Sequence, residues 1–163
     1  MYTRLVAHAD GALGLQEPDF LAMPVNWVEC VTLTLRHLWL QKEAAASVAL
    51  QPDFPSYRQS AIMCSRLQGS SVIHMDRRDS SGTDSGWFIG CYGDGHDHND
   101  PKELTLASLF EAAVCLDSRF VAYAALPSGC SVVAGHGSPA VLMHDTLLDI
   151  TPGSFLSSMG EAS

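Results

Sequence analysis

Asp94, His96, His98 and Asp100 alternate through the stretch Gly93-Asp94-Gly95-His96-Asp97-His98-Asn99-Asp100, and Glu103 follows closely. Imidazoles and carboxylates at this spacing suit zinc or another divalent ion. A calcium loop would need oxygens at its first, third and fifth positions and glycine at the sixth, and here histidines fill two of those places. The other reading is a solvated loop that faces a partner, and the surrounding acids favour it. We therefore assign neither a metal nor a cofactor, and keep a metal-binding protein or metal-dependent enzyme built on the 94–103 loop as the alternative function.

Two further patterns bear on nucleophilic chemistry. Gly135-His136-Gly137-Ser138-Pro139 is similar to a nucleophile elbow, but its serine comes one place late and Pro139 would disturb the helix that must follow. Cys64 or Cys91 with His74 would make a thiol–imidazole dyad, yet cysteines inside apolar strands are usually inert packing residues. No catalytic residue is assigned. His37 and Trp39 read as packing and surface residues, and Arg77-Arg78 is too short a basic patch for nucleic acid.

The acidic loop emerges from Asp84-Ser85-Gly86-Trp87-Phe88. Asp84 and Ser85 can satisfy backbone donors in a turn. Gly86 permits a close entry into a strand, and Trp87 buries a large face with its indole N–H available to a partner. This strand, over 86–92, is the third of a series. Runs at 60–66 and 71–76 flank Gln68-Gly69 and read as a hairpin. Residues 104–116 place Leu106, Leu109, Phe110, Ala113 and Val114 on one helical face, with Ser108 and Glu111 spaced as a capping box that would start the helix one turn later. Strands at 120–126 and 131–134 join at Pro127-Ser128-Gly129, and 140–143 is a short apolar stretch. Upstream, Asn26 and Glu29 are spaced as a capping box for a helix over 28–50, although 31–35 alternates like a strand. Pro52 and Pro55 close that segment. The expected fold is α+β: a small antiparallel sheet with a covering helix over 56–163, preceded by an N-terminal helical extension, residues 1–55.

At 163 residues and 47 % hydrophobic, the chain can bury a core of its own. Its five cysteines form no Cys-x-x-Cys pair, which argues for reduced thiols in a cytoplasmic protein. Neither a membrane span nor a secretory signal is expected. The net charge is −9, and residues 74–117 hold nine acids against three bases, a local −6. Such a face repels nucleic acid and attracts a basic protein partner.

Asp84-Ser85-Gly86-Trp87-Phe88, followed by Gly90, Gly93-Asp94 and the apolar run 106–116, resembles a bacterial immunity-protein family of polymorphic toxin systems, immunity protein family thirty-three. The likeness covers about residues 58–135. Phe88 departs from the family pattern, the 94–100 loop is richer in histidine, and residues 1–55 have no counterpart. The resemblance implies a non-enzymatic cytoplasmic protein that binds a cognate toxin and masks its active site. Nuclease-like toxins have basic clefts, so the implied contacts are Asp84, Asp94, Asp97, Asp100 and Glu103, with Tyr92, His96 and His98 alongside.

Overall fold

The computed structural model describes residues 3–92, 95–116 and 119–159, with the side chains of 115 and 116 outside that description. A mixed α+β fold is built on a seven-stranded sheet, larger than the small one expected. Its strands are β4 (Ser60–Cys64), β5 (Ile73–Arg77), β6 (Asp84–Cys91), β7 (Leu104–Ser108), β8 (Cys130–Ala134), β9 (Ala140–Met143) and β10 (Thr146–Leu147). They run in the order β10-β9-β8-β5-β6-β4-β7. All neighbours are antiparallel except β4 and β6, which lie parallel.

That order corrects the expected hairpin of β4 and β5. Gly69 does make a turn with positive φ, but β6 inserts between the two strands. β6, eight residues long and nearly continuously buried toward its end, takes the interior place between β5 and β4. Its tight hairpin is with β5, through residues 78–83.

Strand alternation separates the two faces. One register row, Met63–Ile89–Met75–Val132–Val141, is at most 1 % exposed in every member and forms the floor of the core. Over it pack α1 (Thr32–Ser47), α3 (Phe120–Tyr123) and α4 (Phe155–Met159), with Ala44, Ala45, Phe120, Tyr123 and Leu156 buried.

Two helical expectations change. Residues 104–108 are the edge strand β7, paired along its length with β4, and the capping box starts a short helix α2 (Leu109–Glu111) as anticipated. Ser108 Oγ accepts the Glu111 N–H at 3.1 Å, and Glu111 accepts the Ser108 N–H at 2.7 Å. A π-helical turn, Ala112–Leu116, continues it. Residues 120–123, expected as strand, are helical. All of 120–126 is buried, and a continuous apolar run carries no period by which strand and helix differ.

The N-terminal region is less helical than expected. β1 (Arg4–Ala7), β2 (Leu13–Pro18) and β3 (Trp27–Val28) form a three-stranded sheet before α1. Trp27 pairs with Pro18 and sits under the Arg4 guanidinium, 4.4 Å from its ring centre. Asn26 therefore does not cap α1. Its side chain accepts the Trp27 N–H, and the helix begins six residues later, behind Val31, which supplies no side-chain cap. The cap comes instead from Glu17 on β2. Its buried carboxylate accepts the N–H groups of Leu33 at 3.1 Å and Thr34 at 2.7 Å, where the helix dipole favours an anion.

Burial opposes ionisation of Glu17, but the donated N–H groups of Thr34 and Leu33 outweigh it and hold the carboxyl below its usual range. A depressed folded-state pKa stabilises the protein above the unfolded value, about 4.3, and that contribution is lost as pH falls through the folded value. Glu17→Gln is expected to lower unfolding stability by about 1 kcal/mol at pH 7. In urea melts across pH, its difference from the parent should shrink toward zero below about pH 4.

Candidate functional site

The face opposite the core carries no helix among the described residues. A second register row, Leu106–Ile62–Phe88–Asp76–Ser131–Leu142–Leu147, crosses all seven strands without a buried member. Leu106 is 71 % exposed and Ile62 43 %. Beside them lies an open hollow of about 460 Å³, lined in part by Ile62, Phe88, Asp76, Asp79, Asp84 and His98. An apolar strip with acids at its rim is the composition of a protein-docking surface.

Asp84 reaches that rim because its turn is fixed. Its Oδ1 accepts the Gly86 N–H at 2.9 Å, and Ser85 Oγ accepts the Trp87 N–H at 3.3 Å while donating to the Ser60 carbonyl at 2.6 Å. Gly86 has φ +77°, and a Cβ there would lie 2.1 Å from the Arg78 carbonyl oxygen. Trp87 is 1 % exposed, with its indole N–H donated to the Ala124 carbonyl at 3.0 Å. The expected structural logic of these four residues is thus the observed one.

The loop after β6 divides by role. Tyr92 is exposed, its N–H held by the Val72 carbonyl. Asp97 is exposed and accepts both N–H donors of Asn99, which hold its carboxyl below the usual range. Asp100 is exposed and caps the turn Pro101–Glu103 by accepting the Lys102 N–H at 3.0 Å. Glu103 is matched by Arg66, whose Nε and a terminal nitrogen each donate to it at 2.9 Å, so little of its charge is left for a partner. Asp94 lies outside the described residues.

His96 and His98, both half-buried, bring their Nε2 atoms to two thiols. Cys64 ends β4 and Cys91 ends β6, and the parallel pairing of those strands sets the two thiols at the same end of the sheet. Their sulfurs are 3.7 Å apart. His96 Nε2 lies 2.9 Å from the Cys64 sulfur and 3.5 Å from that of Cys91, and His98 Nε2 lies 3.6 Å from Cys91. Burial, with His96 and His74 nearby, holds His98 below the ordinary imidazole pKa. Gly90 makes room for the Phe88 ring, which a Cβ there would approach to 2.9 Å, while His98 would lie at an ordinary contact distance of 3.6 Å.

The dyad of a cysteine with His74, weighed in the sequence but not assigned, is not the contact His74 Nε2 makes: it faces Asp76 at 3.2 Å. Chain order did not reveal two groupings. Asp76 and Asp79 join Asp84 across the β5–β6 hairpin, and Cys64 and Cys91 join His96 and His98. The second had a weak signal, a His-x-His pair downstream of a cysteine that ends an apolar run.

Residues 40–144 match the family described as Imm33-like domain. This bears out the resemblance noted above and extends it, because the match begins within α1. No curated protein and no solved structure matches the chain.

The turn that sets Asp84 makes a direct prediction. Gly86→Ala should destabilise the protein by about 2–3 kcal/mol, from a strained φ and the close Arg78 carbonyl, read as a lower urea midpoint.

Proposed function

Because the chain belongs to the Imm33-like family, we propose that it is an immunity protein that binds a cognate secreted toxin and neutralises it. The observation that carries the mode of binding is the uncovered sheet face, where Leu106, Ile62 and Phe88 form an apolar strip bordered by Asp76, Asp79 and Asp84. The strip supplies desolvation energy, and the acids supply orientation and a fast approach to a basic active-site cleft, which the protein then masks. Tyr92, Asp97 and Asp100, exposed on the loop after β6, are further contacts in this reading, as is Asp94, which lies outside the described residues. His96, His98 and Glu103 act through the loop they hold in place, being turned to the thiols or matched by Arg66. In this reading the protein is not an enzyme and works in the cytoplasm of the toxin-producing cell. Among the described residues no helix is long and apolar enough to cross a membrane.

The second reading, metal binding through the 94–103 loop, is favoured by one observation, the approach of two histidines to two thiols.

Co-purification from the native cell followed by mass spectrometry identifies the partner, and co-expression with that partner tests protection from its toxicity. With the purified pair, replacing Asp76, Asp79 and Asp84 together by Lys should weaken binding on the order of 10–100-fold, mostly through slower association. The salt dependence of association should flatten as well. Unchanged binding by this folded variant overturns the acidic-face mode, and failure of the chain to protect against any partner overturns the immunity reading.

A further inference from the structure

We propose that Cys64, Cys91, His96 and His98 are the four ligands of a zinc ion that ties the loop after β6 to the ends of β4 and β6. The site does not rest on the immunity reading. The four donor atoms all lie within 4.8 Å of one another. Around a tetrahedral zinc ion with bonds of about 2.3 Å to sulfur and about 2.0–2.1 Å to nitrogen, two sulfurs sit about 3.8 Å apart and a sulfur and a nitrogen about 3.5 Å. The two sulfurs here are 3.7 Å apart, and the Cys91 sulfur lies 3.5 Å from His96 and 3.6 Å from His98. The fourth separation, Cys64 to His96 at 2.9 Å, must widen by about half an ångström as the ion enters. Both histidines present Nε2 to the sulfurs.

The surroundings suit thiolate ligands. The Arg66 N–H donates to the Cys64 sulfur at 3.3 Å, two residues along, a contact that stabilises a ligating sulfur. Both cysteines are buried and both histidines half-buried, which keeps competing water from most of the ion. Two sulfurs and two imidazoles in a tetrahedron select zinc over the oxygen-seeking magnesium and calcium. Binding forms two Zn–S and two Zn–N bonds, and the two thiol protons pass to solvent. Four protein ligands fill the coordination shell, so the ion would be structural, with no open position for a substrate water. Its work would be to fix the loop that carries Asp97 and Asp100.

The test is metal analysis of the full chain, purified with a tag free of histidine and without chelator. Stoichiometric zinc is expected, and cobalt in its place should give intense tetrahedral visible bands with a thiolate-to-metal transition in the near ultraviolet. His98→Ala, at the half-buried rim, should weaken zinc binding at least tenfold in competition with a chromophoric chelator and alter the cobalt spectrum. Cys30→Ser, at an exposed thiol elsewhere, should change neither. In the parent, bound zinc should slow the reaction of thiols with a disulfide reagent, and chelator should restore it. The proposal is overturned if the reduced parent binds neither zinc nor cobalt more tightly than the order of 10 µM, if bound cobalt shows no thiolate transition, or if His98→Ala leaves affinity and spectrum unchanged.

Discussion

The fold hangs on two side chains that face each other across the β5–β6 hairpin and reach for the same turn. Arg77 and Trp87 are register partners, both at most 3 % exposed. The guanidinium donates to the carbonyls of Leu126 and, at 2.7 Å, Asp53, and pairs with the Asp53 carboxylate at 3.0 Å. The indole N–H takes the Ala124 carbonyl. The Ala124 and Leu126 carbonyls lie just past the end of α3, where such a short helix leaves acceptors without partners of its own. A buried arginine is costly, and its Nε has no partner among the described residues. It persists because it joins three segments: the sheet, the linker after α1 and the turn after α3. Arg77 counts as a base in the chain's charge pattern, yet its guanidinium is buried and paired with Asp53.

With one side of the sheet committed to that core, the other is free to be a surface. Its carboxylates do two things at once. Asp84, Asp97 and Asp100 each hold a nearby backbone N–H, which fixes the turn, while the remaining oxygen lone pairs stay in water. A rim ordered before any partner arrives loses little conformational entropy on binding.

How much of this could be read from residues in order depended on whether the signal was local. The Asp84–Trp87 turn was legible, because an aspartate, a serine and a glycine before a buried aromatic have few other uses. The Ser108–Glu111 cap was legible for the same reason. The helix over 28–50 was half legible: its body was right, but its cap is a glutamate 16 residues upstream of Leu33, on another strand, and Asn26 only imitated one. The β4–β5 hairpin failed because β6 inserts between those two strands, an order set by pairing between segments that are not neighbours in the chain. The site split likewise. Every loop residue was named in advance, but the thiols that face the histidines lie 27 residues apart and meet through a parallel pairing that no spacing announces.

That parallel pairing also orders the assembly of the protein. The hairpins β5–β6, β8–β9 and β9–β10 join strands that follow one another, and they close short loops. β4 has no such route. It must find β6 across the whole of β5, and β7 then pairs on β4's outer edge. Contacts between distant stretches of chain form late, because loop closure costs entropy before the contact returns anything. By that measure the β4–β6 closure, between partners 24–26 residues apart, comes before β5–β8, whose partners lie 55–61 residues apart, so the two thiols are brought together before the C-terminal strands join the sheet.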